Sequence, residues 1–567
     1  MERILRVDMK TRTATVEPLP EAYWNLGGRS MTSRIVCDEV DPACDPMGPH
    51  NKLVFAPGLL SGTVLSSSSR LSVGCKSPLT GGIKESNAGG QSGLKMAMLG
   101  YRALIVEAQA EPGTWWLLVV ERDGARFQRA DDLAGSTTFE LTEKLFERYS
   151  RQVGLSVLGP AGQMRMNLAG IANTDPEGRP SRLNARGGVG AVMGAKGLLA
   201  IVWNEPGYTP VSSLDPEKWK NAGKEYMGEL RTQPATAERF PKYGTAAVLE
   251  TVLKLGGLPI KNFSRGFDKQ AEAITGLRMH DVIKERGGHT THSCMTGCAI
   301  QCSNVWVDKQ GEEVASSMEF ETNGLLGSNL EIFDFDAIAA FARLCNELGV
   351  DTIETGGAMG VAMEAGLIPW GDMPAVVRAF REIREGTPFG RILGLGAGLA
   401  GKALGVRRVP VVKNQTISAY DPRAIKGNAV TYCTTAMGAD HTAGNTIGAK
   451  TDHLNPADKV AISREAQVVS MLLDVFGFCN FARGVYGAKP EAFSKLYAAR
   501  LGKPITVPEM RRYAVQVNRW ELDFNVAAGQ PLVERLPEWM REESLPPHNA
   551  LFDVTEEEMA HMWDDEA

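Results

Sequence analysis

The sequence predicts an α+β protein, with a β-rich domain over residues 1–208 followed by two mostly α-helical domains over 209–405 and 406–567. Three observations predict it. Short β-type runs punctuated by Gly, Ser and Pro fill the chain up to about Glu205. Longer segments with apolar residues three and four apart fill most of the rest. Between them lies PGYTPVSSLDPEKW, a Pro/Ser stretch that ends in a helix start at Asp215-Pro216-Glu217.

Each element has its own signal. MERILRVDMKTRTATVEPLP alternates apolar and polar residues as a strand pair does, and lacks the charged, apolar, small-residue order of a secretory signal. KLVFAP (52–57), ALIVEA (103–108), WWLLVV (115–120) and LAIVW (199–203) read as strands. FDAIAAFARLCNELG (335–349), PAVVRAFREIREG (374–386) and DKVAISREAQVVSMLLDVFG (458–477) carry the helical period. The acidic end, TEEEMAHMWDDEA, reads as a last helix or a solvated tail.

Composition excludes several functions. The formal net charge is -6, with no Lys/Arg block to meet a phosphate backbone, so nucleic acid is not expected as a partner. No run of eighteen apolar residues is present, so no membrane span is expected and the chain reads as soluble and cytoplasmic. The nine cysteines are odd in number and clustered, which fits a reducing compartment and a metal site better than a disulfide framework.

The cluster is HTTHSCMTGCAIQCSN (289–304), with Cys294, Cys298 and Cys302 four apart. Zinc held with His292 is chemically allowed, although zinc sites favour CxxC and this reading leaves Cys479 idle. A radical site of CxxxCxxC form fails because Gln301 stands where the last cysteine belongs. Glycine, at 61 residues, concentrates in SPLTGGIKESNAGGQSG (77–93), NARGGVGAVMGAKG (184–197) and ILGLGAGLAGKALG (392–405). The last has phosphate-loop spacing at Gly396, Gly401 and Lys402, but Ala403 replaces the hydroxyl that would bind Mg²⁺, so helix packing is expected there.

Taken in order, NKLVFAPGLLSGT (51–63), Arg70, KSPLTGGIKESNAGG (76–90), LGYRALIVEA (99–108) and RGGVGAVMGAKGLLAIV (186–202) resemble the N-terminal domain of the aldehyde ferredoxin oxidoreductase family of tungsten or molybdenum bis-pyranopterin enzymes. LGVDTIETGGAMGVAMEAG (348–366), YDPRAIKG (420–427), GADHTAG (438–444) and LLDVFGFCNF (472–481) resemble its later motifs. The resemblance makes the β-rich domain a pterin-binding base. It also implies one [4Fe–4S] cluster on Cys294, Cys298, Cys302 and Cys479, although the first spacing reads CxxxC where CxxC is usual.

The same resemblance implies two pterins that hold one W or Mo, with a Mg²⁺ bridging their phosphates through the backbone carbonyls of Asn87 and Leu183. Cofactor contacts are implied at Arg70, Asn87, Ala88, Gly89, Leu183, Arg186, Gly187, Gly188, Asp351, Thr352, Asp421, Arg423, Lys426, Asp474 and Gly477. Asn346 stands where the family commonly has Asp. Glu321, in SMEFETNG (317–324), and His441 match the family's proton-handling positions, with Glu319 a strand step away. The implied activity is oxidation of an aldehyde to its acid, with electrons passing to ferredoxin or a ferredoxin-like partner. A reductive relative working on aromatic rings within a larger complex and a non-catalytic electron-transfer subunit are the alternatives. A homodimer or a complex with an Fe–S subunit stays open. Some family members bridge subunits through an iron on an E-x-x-H pair, and no such iron is expected here.

Overall fold

Twelve strands in the N-terminal part form two six-stranded sheets in the computed structural model, which describes residues 2–316 and 318–564. β1 (Arg3–Asp8), β2 (Thr13–Pro18), β3 (Leu53–Pro57), β4 (Leu71–Lys76), β5 (Ile83–Ala88) and β6 (Tyr101–Glu107) make the first, in the order β2-β1-β6-β3-β4-β5. β7 (Trp116–Glu121), β8 (Gly124–Arg129), β9 (Gly154–Val157), β10 (Ile171–Asn173), β11 (Arg182–Asn184) and β12 (Leu198–Trp203) make the second, in the order β11-β10-β9-β12-β7-β8.

Alternation of side chains along each strand decides what the sheets pack on. Leu5, Val7, Leu53, Phe55, Leu104 and Val106 enter a core shared with Leu117, Val119, Leu155 and Ile201 of the second sheet. Ile4, Val54, Ala56, Ala103 and Ile105 point the other way, onto Ile35 and Val36 of the helix Gly28–Glu39. Both faces are covered, which is why KLVFAP and LAIVW are continuous apolar runs rather than alternating ones.

The helical part starts where the sequence predicts, at Pro216–Thr232, with the Asp215 carboxylate accepting from the Lys218 amide. Asp334 caps Phe335–Leu348, and Gly349 ends it in the left-handed region at φ 70°. Lys459–Phe476 ends the same way on Gly477 at φ 84°. The third glycine run is indeed a packing device: a Cβ on Gly401 of the helix Ala397–Leu404 would stand 2.3 Å from a Val409 methyl. The acidic end contains the helix Glu556–Ala560, and residues 565–567 of that stretch lie outside the described residues.

Two expectations are corrected. The cysteine stretch lies between the strands His289–His292 and Ser303–Val307, which with Glu313–Ala315 form a three-stranded sheet inside the mostly helical part. The apolar run Val305-Trp306-Val307 carried that signal. Glu321, expected on a strand, belongs to the first turn of the helix Phe320–Leu325, with Glu319 immediately before it; Ser317 of that motif lies outside the described residues.

Backbone hydrogen bonds stitch the two ends of the chain together. The Leu59 and Leu60 amides donate to the Val475 and Phe476 carbonyls at 3.0 and 3.1 Å. The Arg70 amide donates to Gly477 at 3.1 Å, and the Cys479 amide returns to Ser67 at 2.8 Å. Such close approach excludes a side chain, since a Cβ on Gly58 would stand 2.1 Å from the Gly477 Cα. Nearby, buried Arg29 binds buried Glu521 through Nε and Nη2 at 2.8 and 2.7 Å, joining Gly28–Glu39 to the helix Val507–Ala527.

Candidate active site

The stitched loop brings the four cysteines of the proposed cluster into one neighbourhood. Ser67, whose carbonyl holds the Cys479 amide, places its hydroxyl 3.2 Å from the Cys298 sulfur. The Gly90 amide donates to the Cys294 carbonyl at 2.9 Å, and a Cβ on Gly89 would stand 3.1 Å from the Cys294 sulfur. Burial pushes the Cys294 thiol up to about 12, with Cys298, Arg182, Arg70 and Cys479 the next influences on it. Burial also raises the Cys302 thiol, and the same three cysteines act on it after Glu319. A bare thiolate is therefore disfavoured here, and a soft cation that binds sulfur would reverse the balance.

The spacing of these sulfurs separates the metal readings. Among the described residues, no three of them lie within 4.8 Å of one another. Tetrahedral zinc at about 2.3 Å from each sulfur would need them about 3.8 Å apart. Four soft donors around a wider volume fit an iron–sulfur cluster better. His292 is not turned toward them, because its Nε2 meets Glu177 at 3.0 Å.

Arg70 lies beside this group. Its guanidinium donates to the Asn87 side-chain oxygen and, at 3.3 Å, to the Asn87 carbonyl, and the charges that support it are Cys479, Cys294, Asp474 and Glu85. Burial raises the Asp474 and Glu85 carboxyls; Glu85 adds to the rise at Asp474, and Arg29 opposes both. Asn87, Ala88 and Gly89 run from β5 onto Cys294, and Gly477 closes the other side. Leu183 is paired with Ala172 in the middle of β11. Its strand is tied to β4 and β5 by the Asn184 amide, which donates to the Leu71 and Ser86 carbonyls at 3.0 and 2.7 Å.

A second buried group sits at the glycine run after β11. Arg186 reaches Asp351 at 3.3 Å, Ser418 at 3.2 Å and the Ala439 and Thr416 carbonyls at 2.6 Å each. Gly187 and Gly188 have φ 83° and 75°, and a Cβ on Gly187 would enter the Lys84 stem at 2.3 Å. Lys84 pairs with Asp440. Burial alone would raise Asp440, but Lys84 and Arg186 hold it far below the usual carboxylate range. Asp351 caps the helix Thr352–Glu364, and the Thr352 hydroxyl accepts from Thr322 at 3.3 Å.

Glu321 and His441 come together from segments far apart in sequence. Glu321 Oε1 lies 3.4 Å from His441 Nε2, and Oε2 accepts from the Ala419 amide at 2.7 Å. His441 Nδ1 lies 2.9 Å from the Ser418 hydroxyl, and its ring is 5.6 Å from that of Tyr420. Burial raises Glu321 to about 8 and lowers His441 to about 4. Between those values both groups are neutral: the carboxyl is a donor and the imidazole an acceptor. The two side chains are only slightly exposed, and Glu321 Oε1 itself is buried without a hydrogen-bond partner of normal length.

Asp421, Arg423 and Lys426 have other commitments. Arg423 is held by Asp421 and by the Phe263 and Glu543 carbonyls, over the Trp539 ring, and Lys426 pairs with Asp553. They lock the last segment of the chain onto the helical core. Asn346 accepts from Thr138 through its carbonyl at 2.7 Å. An E-x-x-H spacing does occur, at Glu558-Met559-Ala560-His561, so the expectation of no bridging iron does not rest on the absence of that spacing. Its carboxylate caps its own helix at Thr555, and its imidazole faces Asp564.

Sequence reasoning missed Ser418, Tyr420, Lys84, Asp440 and Glu354. All five lie in or beside motifs that the sequence displays. Asp440 immediately precedes His441, Ser418 and Tyr420 adjoin the YDPR turn, and Glu354 follows Asp351 by one helical step. Lys84 sits in the first glycine-rich segment.

Family models agree with this architecture. The N-terminal domain of aldehyde ferredoxin oxidoreductase matches residues 4–205, and domains 2 and 3 of the same family match residues 221–565. The tungsten-containing aldehyde ferredoxin oxidoreductase of Pyrococcus furiosus is 30% identical over 574 residues, covering 96% of this chain and 92% of the relative. The enzyme of that name from Thermococcus kodakarensis is 30% identical with the same coverage. The WOR-like subunit of an aliphatic sulfonate oxidoreductase from Pyrococcus furiosus is 24% identical over 75% of this chain and 72% of the relative. The active-site complex BamBC of benzoyl coenzyme A reductase, solved with 1,5-dienoyl-CoA, has the same fold, with a TM-score of 0.80, 19% identity and coverage of 100% of this chain and 93% of that one. The chain belongs to the aldehyde ferredoxin oxidoreductase family.

Proposed function

We propose that this protein oxidises an aldehyde to its carboxylic acid at a tungsten or molybdenum bis-pyranopterin, and passes the electrons singly through a [4Fe–4S] cluster to ferredoxin or a ferredoxin-like protein in the cytoplasm. The observation that carries the reading is the Glu321–His441 pair beside Arg186 and Asp440. When bound, the metal cofactor supplies a two-electron acceptor for RCHO + H₂O → RCOOH + 2H⁺ + 2e⁻. In this reading Arg70, Asn87, Ala88, Gly89, Arg186, Gly187, Gly188, Asp351, Thr352, Asp474 and Gly477 hold the pterins, and the carbonyls of Asn87 and Leu183 hold Mg²⁺.

The chain's own task is proton handling. Two protons leave per turnover, and the pair is placed to take one of them at Glu321. Glu321 Oε1 becomes a base once ionised, while His441 Nε2 stays an uncharged neighbour at neutral pH. Ser418 fixes the imidazole at Nδ1, and the Ala419 amide fixes the carboxylate at Oε2. Metal analysis of anaerobically purified protein, with aldehyde-dependent dye reduction on the same sample, tests this. W or Mo with about four Fe per chain is expected, and zinc alone with no aldehyde oxidation would refute the proposal.

A further inference from the structure

A cavity of about 710 Å³ opens where the starts of β1 and β6, the end of β3 and the helix Pro490–Leu501 come together. No residue assigned above to the metal sites, the pterins or the Glu321–His441 pair lines it. Its charged lining is Glu2, Arg3, Arg102, Arg122, Asp123 and Arg500, and Trp24, Leu59 and Leu501 give it an apolar wall. The volume suits a small organic molecule.

Charge inside the cavity is unbalanced. Arg102 and Arg500 are 5% and 9% exposed, and both bind the single carboxylate of Glu2, Arg500 through Nη2 at 2.5 Å. Among the described residues, no second carboxylate lies within 4.0 Å of either guanidinium. Arg122 is matched by Glu205 at 3.2 Å, and Arg3 meets the exposed Asp123 at 3.9 Å. One buried positive charge is therefore left without a counter-ion. Burial lowers Arg102 below its ordinary value, Glu2 opposes, and the like charge of Arg500 adds to the fall. A buried charge in that condition favours an incoming anion.

Unused donors accompany the unused charge. The Nε groups of Arg3, Arg102 and Arg500 are buried with no hydrogen-bond partner. Arg500 Nη1 has none either, and protein does not seal it. A guanidinium with free N–H groups receives phosphate oxygens in a fork. Lys503 brings one more cation to the apolar wall, 4.2 Å over the Trp24 ring. A phosphate monoester, with up to two charges and three acceptor oxygens, answers two spare cations better than a carboxylate does.

We infer that this cavity binds a small organic phosphate of nucleoside monophosphate size, with the phosphate on Arg500 and a ring body against Trp24 and Leu59. The inference does not rest on the proposed function. Gly58 and Leu59 line the cavity while the Leu59 amide donates to Val475 behind it, so the ligand would sit on the outer side of the stitch between the chain ends. Occupancy should therefore raise the thermal midpoint of the protein.

The test is calorimetric titration of the metal-loaded protein with AMP, adenosine and inorganic phosphate at fixed ionic strength, with the thermal midpoint read on the same samples. AMP is expected to bind with a Kd of about 1 mM or lower, inorganic phosphate about tenfold more weakly, and adenosine not measurably. Arg500→Gln should weaken AMP about tenfold, as loss of a charge-assisted hydrogen bond does. Glu2→Gln removes the competing carboxylate and should tighten AMP, an opposition that a purely structural ion pair would not produce. Ser212→Glu adds a carboxylate at an exposed position of the lining, should weaken AMP, and serves if Arg500→Gln fails to fold. Inorganic phosphate binding as tightly as AMP overturns the inference in favour of the free ion. Neither heat nor a midpoint shift with AMP, or AMP binding that the variants leave unchanged, overturns it outright.

Discussion

Burial displaces Glu321 and His441 in opposite directions, and this sets the pH dependence of any chemistry they perform. With Glu321 near 8, a reaction needing its ionised form should accelerate as pH rises to a plateau above about 8. The pH profile of kcat/KM should show that limb, and Glu321→Gln should flatten it. Glu321→Gln and His441→Ala should each slow turnover about 10²–10⁴-fold with W or Mo and iron content unchanged, read by activity and metal analysis of the same preparation. Stability runs the opposite way with pH. A carboxyl raised in the folded state contributes fully below its ordinary value of 4.5 and loses that contribution as pH climbs through about 8. Glu321→Gln should therefore be the more stable protein at pH 9, by on the order of 3 kcal/mol, and near parity at pH 5, in urea melts of the metal-free chain. Glu321 and His441, singled out by motif position, meet in the structure at 3.4 Å. Asp421 and Arg423 looked like cofactor ligands because a charged turn beside a motif reads the same whether it faces a ligand or, as here, locks a terminal segment.

At the scale of elements, caps and periods were legible and the small sheet was not. Asp215, Asp334 and Asp372 each start a helix through a local hydrogen bond, which a sequence displays directly. The strands around the cysteines are short and interrupted, and their pairing depends on contacts between separate segments. That sheet presents Cys294 to Gly89 and leaves Cys479 to arrive from the end of the helix Lys459–Phe476. Cys479→Ser should lower iron content and abolish a reduced-cluster EPR signal, because one iron loses its soft ligand. Cys294→Ser should do the same despite the CxxxC spacing, since the Cys294 sulfur interacts with Cys298 and Cys479. Retained iron in either variant would remove that residue from the ligand set.

Across the whole molecule, the order of a β-rich part before a helical part was readable from composition and period, while the contacts between chain ends were not. The Arg29–Glu521 pair is one such contact, buried at both ends. Arg29→Met should destabilise the protein by about 3–5 kcal/mol, because it strands a buried carboxylate, and a fall in the urea midpoint without loss of the native fold at low denaturant would show it. Arg29→Met combined with Glu521→Leu should recover part of the loss.

The backbone stitch of residues 58–70 onto residues 475–479 also bears on how the protein is made. During translation the segment from Gly58 to Arg70 leaves the ribosome long before its partners, so its amides are first satisfied by water. Three cysteines emerge well ahead of the fourth, and the wall between them and Arg70 closes only after Cys479 is synthesised. Assembly is thereby ordered in time: the four-cysteine neighbourhood is completed late, and a product truncated before Cys479 lacks the hydrogen bonds that close it.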